Sequence, residues 1–419
     1  MERLPGFRDF YPEPLPHSDV WSADARHYLF ETWRAAARHY GFREYDGPPL
    51  EPLEMYTMKS GAEIVGQLYN FTDKGDRAVS LRPELTPSLA RMVAAHERNY
   101  KKPIKWFGLP QLFRYERQQK GRLREHFQFN ADILGEADLG ADAEMLALAI
   151  DALRAFGLTA DDFVLRLSSR QAWHDFFHQR HPDSTREYEF YQIIDKLERE
   201  APEESSHKLA ALGFSYDEIR AFINAGEPTP ELQSIVQNLA ARGLAAFVKV
   251  DYGVIRGLAY YTGTVFEAFD KKGEFRAIAG GGRYDNLVKL ISGGKVDLPA
   301  LGFGMGDVVL LELLKARKLL PAFGANVDVY CLIEDEALRL ESLRLIQHLR
   351  AAGLAVEYSF TPLKPDKQFK RALELRAKHT AKVDRSGAAP AVRVKDLRSR
   401  EEKLVAWDDA VKTLAGEGG

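Results

Sequence analysis

Residues 113–132 read FRYERQQKGRLREHFQFNAD, and the alternation at the two ends of this stretch decides the architecture. In Phe113-Arg114-Tyr115-Glu116, and again in Phe127-Gln128-Phe129-Asn130-Ala131-Asp132, apolar and polar residues alternate with period two, as strands require. Between them lies a polar loop with Arg117, Lys120, Arg122 and Arg124. The reading is two strands joined by a cationic loop. Arg114 and Glu116 share one side, as do Gln128, Asn130 and Asp132, while Phe127, Phe129 and Ala131 supply the buried face. Three polar groups on one strand face are costly to bury unless something pairs with them. A solvent-facing sheet surface fits the same pattern, so periodicity does not choose. His126 is expected to face away from Gln128.

Working outward, residues 18–40 carry apolar side chains at helical spacing and end at Gly41, where a helix C-terminus places glycine. FREYDGPPLEPLEMY follows as an extended segment closed by Pro48 and Pro49. LYNFTD and AVSLRPE read as strands around a turn at Lys74, Gly75 and Asp76, and Thr86 to Arg98 as a helix. Downstream, Ala141 to Phe156 reads as an amphipathic helix and FVLRLSS as a strand. Polar helical patterns then run from Arg170 to Arg242, which marks a helical insertion. Strands resume at AAFVKVDYG, TGTVFEAF and RAIAGGGRYD, and Ala300 to Leu320 reads as a glycine-rich turn followed by a helix. Gly324 and Ala325 mark a linker, beyond which strands and helices alternate as a small α/β domain.

The chain has 419 residues, 45% hydrophobic and 28% charged, which excludes a disordered or low-complexity protein. Charged residues punctuate every apolar stretch, so no membrane helix is expected. MERLPGFRDFYPEP has two early prolines and no apolar core, so an export signal is not expected either. A lone cysteine, Cys331, fits a reducing cytosol and reads as a small buried residue on a strand. The net charge of −3 does not announce a nucleic-acid binder. Its distribution says more: from Pro362 to Arg400, basic residues outnumber acidic ones by eight. That is a possible polyanion footprint, or simply a solvated helix face.

Three further clusters could carry chemistry. Arg82-Pro83-Glu84-Leu85-Thr86 sits at a strand-to-helix junction, where a carboxylate and a hydroxyl two residues apart could grip an ammonium group; helix capping is the plain alternative. Arg256-Gly257-Leu258-Ala259-Tyr260-Tyr261-Thr262-Gly263 could recognise an anion and a ring, or be a turn with packed aromatics. In Gly280-Gly281-Gly282-Arg283-Tyr284-Asp285 three glycines would let a backbone come close to a ligand, or form a bulge. Rossmann and P-loop fingerprints are absent, as are H-E-x-x-H and cysteine pairs, so no metal ligands are assigned.

In their order these segments resemble the histidine-specific class II aminoacyl-tRNA synthetases. LPGFRDFYPE is similar to that family's opening, GFREYDGPPLE to motif 1 and FRYERQQKGRLREHFQF to motif 2. RGLAYYTGTVFEAF and AIAGGGRYDNLV look like the histidine-specific signature and the strand after it. The resemblance implies an α+β fold with an antiparallel catalytic sheet and surrounding helices. The core would comprise residues 1–169 and 243–322, with a helical insertion at 170–242 and an α/β anticodon-binding domain at 326–419. It also implies a cytoplasmic homodimer that joins histidine to tRNA, with ATP as substrate and Mg²⁺ as cofactor.

Carried over by matched position, Arg114 and Arg256 would be catalytic. Glu84, Leu85, Thr86, Gln128, Asp132, Tyr260 and Tyr261, with the same two arginines, would bind histidine. Arg114, Glu116, Arg122, Arg256 and Arg283 would meet ATP. Arg117, Gln118 and Gln119 would contact the acceptor end of tRNA, and Lys367, Lys370 and Arg371 its anticodon region. One position departs: where motif 3 holds an arginine for the terminal phosphate, this chain has Val309. Arg122 and Arg283 are the expected substitutes. The alternative function is a non-catalytic relative, the regulatory subunit of an ATP phosphoribosyltransferase.

Overall fold

The computed structural model describes every residue except 1, 18–19, 61, 116–122, 183, 198–199, 256–259, 324–326, 388 and 416–419. The described residues form two compact units, 1–321 and 322–419.

The first unit is organised by a nine-stranded sheet whose inner ladders are antiparallel. Its central strand, Glu125–Leu134, pairs with Ile104–Gly108 on one side and Ala300–Gly306 on the other. Beyond Ala300–Gly306 come Ala279–Arg283, Thr264–Asp270 and Phe163–Ser169. Parallel pairs occur only toward the edges, at Phe163–Ser169 with Val248–Val250 and at Arg43–Glu44 with Ile104–Gly108.

Alternation along the central strand does what the pattern requires. Phe129 and Ala131 are fully buried, with Trp33 of helix Ala23–His39 stacked on Phe129 at a centroid separation of 5.8 Å. Helix Leu139–Arg154 is buried along most of its length, as its alanine- and leucine-rich sequence demands. The opposite sheet face carries Gln128, Asn130 and Asp132, aligned with Gly306, Gly304 and Gly302 of the next strand.

That neighbouring strand corrects the expectation of a glycine-rich turn at Ala300. The glycines leave room instead of bending the chain. A Cβ on Gly304 would fall 2.5 Å from Gln128 Nε2, and one on Gly302 would overlap the Asp132 carboxylate. Likewise FREYDGPPLEPLEMY is only partly extended, since a helix begins at Leu53. The described part of the insertion is built from helices at Arg170–His178, Glu187–Lys196, Pro202–Ala210, Tyr216–Ala225 and Pro230–Ala241. Pro202 opens a helix rather than breaking one, because its missing N–H would be unpaired there anyway. Among the described residues no helix is long and apolar enough to cross a membrane.

The second unit is a five-stranded mixed sheet, with Val329–Cys331 between Val356–Tyr358 and His379–Asp384. Cys331 is fully buried on its strand, as expected. The linker at Gly324 and Ala325 lies outside the described residues.

Candidate active site

Arg8 shows how the sequence fixes the strand and helix that frame the site. Its guanidinium, nearly buried, donates to Glu125 Oε1 at 2.6 Å and to Asp307 Oδ2 at 2.8 Å. Asp307 also accepts from the Phe127 backbone N–H at 3.0 Å. The opening segment thereby ties the start of the central strand to the first residue of helix Asp307–Ala316. Burial pushes the Asp307 carboxyl up, and the Arg8 charge pulls it back. Nothing local in LPGFRDF announces this long-range triad.

On the His126–Gln128 face of the central strand opens a cleft of about 500 Å³. Arg114, Gln128, Gly280, Gly304 and Gly306 line it, as do Arg166, Arg276, Asp195 and Glu267. The Arg114 Nε donates to the Pro83 carbonyl at 3.2 Å, which aims the guanidinium. Arg166 faces Glu267 across the strand pair, and its guanidinium lies 4.4 Å from the Phe269 ring centroid. His126 lines the same cleft as Gln128, correcting the expected orientation; residues two apart on a strand share a face. Val309 lines it too, at the position expected to carry a positive charge.

Farther along the Gln128 face stands Asp132, buried to 2% exposure. Its Oδ1 accepts from the Tyr284 hydroxyl at 2.5 Å, while Oδ2 is buried without a hydrogen-bond partner. Burial pushes its carboxyl up to about 7, with the Tyr284 bond pulling the other way. Around it gather Tyr45, whose buried hydroxyl also lacks a partner, Asn130, whose Oδ1 does too, and Tyr260 and Tyr261. The Tyr260 and Tyr261 rings lie 4.4 Å apart, and Tyr260 meets Tyr284 edge-on at 6.2 Å. Buried polar atoms without partners are rare in native folds, and a group of three here is what a polar ligand would satisfy. Tyr45 has no signal in the sequence, and Tyr284 stands there only as part of the glycine cluster, without a role of its own. Tyr284 follows the glycine run, but its reach across strand Ala300–Gly306 to Asp132 is a tertiary fact.

The junction at Glu84 is not a capping device. Helix Thr86–His96 has Leu85 at its N-cap and no side-chain capping bond. Leu85 is fully buried against Gly108, where an added Cβ would lie 2.8 Å from its Cδ2. Its side chain therefore packs against that strand, and Glu84 and Thr86 flank it, partly exposed.

Arg283 is also corrected. It pairs with Leu301 in register, on the opposite sheet face from Asp132, where it is buried in an ion pair with Asp142 and donates to the Glu136 carbonyl at 3.0 Å. It cannot reach a phosphate in the cleft. Glu116, Arg117, Gln118, Gln119, Arg122 and Arg256 lie outside the described residues. In the second unit, Lys367, Lys370 and Arg371 share a groove with Tyr358 and the exposed Phe360.

Comparison with known proteins gives the same picture. Residues 17–306 match the family model for histidyl-tRNA synthetase, and residues 326–417 match that for an anticodon-binding domain. A histidine–tRNA ligase of Opitutus terrae is 44% identical, covering 96% of this chain and 95% of its own length. One from Thermoplasma volcanium is 36% identical over 99% and 98%. In fold, a histidyl-tRNA synthetase of Nostoc superposes with a TM-score of 0.77 at 24% identity, covering 98% of this chain and 99% of that one. A cleft of arginines beside a buried, half-satisfied carboxylate thus stands on a sheet matched along its length, and the chain belongs to the histidyl-tRNA synthetase family.

Proposed function

We propose that the chain is a histidine–tRNA ligase, which activates histidine with ATP and then transfers it to the 3′ end of its tRNA. The observation that carries this reading is Asp132: one oxygen held by Tyr284, the other turned inward with nothing to bind. An imidazole N–H supplies the missing donor. A competing side chain without a ring N–H leaves that oxygen unpaired, and a site built this way can discriminate by on the order of 10⁴.

Activation joins two anions, since the histidine carboxylate attacks the ATP α-phosphorus in line and pyrophosphate leaves. The nucleophile is already charged, so no general base is required. The protein's task is positioning and charge stabilisation. Arg114 fits the α-phosphate role because its guanidinium is anchored at the cleft wall; Gln128 fits the contact to the amino acid. Glu84 and Thr86 suit the α-ammonium group, and Tyr261 and Asp132 the ring. Arg166 and Arg276 are cations of the cleft that sequence reasoning missed, and they suit the outer phosphates in place of Arg283. Asp195 and Glu267 line the same cleft and are the hard oxygen donors Mg²⁺ takes. When bound, the ion would offset triphosphate charge.

The second unit, with cations around an exposed aromatic, suits the tRNA anticodon. A homodimer through the segment after Arg43 is supported by the exposed Leu50, Met58 and Phe71. Histidine-dependent exchange of labelled pyrophosphate into ATP tests the function. Exchange that requires histidine is expected; its absence from pure protein with Mg²⁺ would leave the regulatory-subunit alternative standing.

A further inference from the structure

The helical insertion holds ligating side chains that the adenylation chemistry does not use. His174 and His178 stand four residues apart on helix Arg170–His178, hence on one face. Glu187, the first residue of helix Glu187–Lys196, reaches the same point from the other side. His174 Nδ1 lies 2.8 Å from Glu187 Oε1, and His178 Nε2 lies 3.7 Å from Glu187 Oε2. The two imidazole centroids are 4.0 Å apart, and the three potential ligand atoms all fall within 4.8 Å of one another. Ligands about 2.0–2.2 Å from a tetrahedral ion sit roughly 3.4 Å from each other, so small side-chain adjustments would close the set.

Two features separate this cluster from an ordinary surface network. The His178 Nε2 atom is buried and makes no hydrogen bond, although it points toward Glu187. Glu187 is itself oriented by the Tyr191 hydroxyl, and the Arg170 guanidinium lies 3.7 Å from the centroid of the Tyr191 ring. A metal-binding carboxylate held by an outer hydrogen bond is the usual arrangement of such sites. Two imidazoles and one carboxylate suit a borderline ion; Mg²⁺ and Ca²⁺ prefer all-oxygen sets.

We propose that His174, His178 and Glu187 bind one divalent transition-metal ion of the Zn²⁺ class, with water completing the shell. The ion clamps the first two helices of the insertion. Helix Glu187–Lys196 also carries Asp195, which lines the adenylation cleft, so the clamp steadies an element that reaches the active site.

The test uses the full chain, freed of metal by a chelator and titrated with Zn²⁺ by calorimetry, with Co²⁺ absorption as the spectroscopic probe. One equivalent bound at about micromolar affinity or tighter is expected, with a visible Co²⁺ band of a four- or five-coordinate ion. His178→Ala and Glu187→Gln should each weaken binding by about 100-fold. The half-exposed position of His174 makes His174→Ala a third variant with little folding risk. Circular dichroism verifies that each variant is folded. No uptake by the wild-type chain, or equal uptake by the His174→Ala/His178→Ala double variant, overturns the proposal and leaves a plain hydrogen-bonded network.

Discussion

The Tyr284 hydroxyl donates to Asp132 Oδ1 at 2.5 Å, so the fold itself occupies one carboxylate oxygen and leaves the other as the sole acceptor on offer from that side chain. Burial pushes the carboxyl up to about 7, close to the ordinary imidazole value of about 6.5. Two groups so matched share a proton readily, and an imidazole entering this pocket compensates a charge that the empty protein holds at a cost.

Asp132→Asn should expose that cost. An aspartate whose folded value lies above its unfolded value of about 3.9 keeps a proton that the unfolded chain has released. Its contribution to stability therefore falls as pH rises from about 4 to about 7. Without histidine, the variant should melt at higher temperature than the wild type at about pH 8, by at most about 4 kcal/mol, with the gap closing near pH 4. Histidine affinity should drop by ~10² or more, because the ring N–H loses a charged acceptor. Melting curves across this range, with and without histidine, read both effects. Equal melting at about pH 8 would mean that the charge is already compensated.

The glycines beside this carboxylate make separable predictions. Gly304→Ala places a Cβ 2.5 Å from Gln128 Nε2, the far end of a flexible side chain. Folding should survive, while KM for histidine rises ~10-fold as Gln128 is displaced, about 1.4 kcal/mol. Gly302→Ala meets the Ala131 carbonyl at 2.7 Å as well as Asp132, and a backbone atom cannot step aside. It should cost about 1–3 kcal/mol of stability in urea titration. If both variants lose only activity, the strands are more pliant than this spacing implies.

Much of this was legible in sequence because it is written in local periodicity. The Phe127-to-Asp132 alternation located the central strand, and helix Ala23–His39 followed its apolar spacing. What misled was glycine, whose freedom marks turns and close approaches alike; at Gly302 and Gly304 the cause is a side chain on the neighbouring strand. What escaped was pairing across long separations. Arg283 reads as a phosphate ligand until register sets it opposite Leu301, on the wrong sheet face. Arg8 gives no hint of Asp307, 299 residues away. The spacing of His174 and His178 is visible in the sequence, but Glu187 joins them only through the packing of two helices.

The Arg8 triad should contribute strongly to stability where the central strand meets helix Asp307–Ala316. Arg8→Met leaves the Glu125 and Asp307 carboxylates buried without their cation. Removing one partner of a buried pair typically costs 3–5 kcal/mol, and a loss of about that size is expected in urea titration. Arg8→Lys should recover part of it. A Met variant as stable as the wild type would show that the pair contributes nothing net to the fold.

In the second unit, replacing Lys367, Lys370 and Arg371 with Ala should weaken tRNA binding and flatten its dependence on salt, by a slope of about one per lost phosphate contact. Binding measured at two or more salt concentrations separates this from a general loss of fold. An unchanged slope returns the basic stretch to a solvated helix face.

Val309 poses the last question, because a neutral side chain lines the cleft where the resemblance to motif 3 leads to the expectation of a cation. It sits in the first turn of helix Asp307–Ala316, whose N-terminal dipole favours anions but supplies only about half a charge. Val309→Arg would add a full charge at the cleft wall. If the terminal phosphate lacks a partner there, KM for ATP in pyrophosphate exchange should fall by ~10-fold, about 1.4 kcal/mol, with KM for histidine unchanged. If Arg166 and Arg276 already neutralise that phosphate, the new guanidinium meets like charges and KM for ATP stays level or rises. The second outcome would assign those two arginines the work of the missing one. Combining Arg276→Ala with Val309→Arg then checks the exchange directly, since the added arginine should restore what the alanine removes.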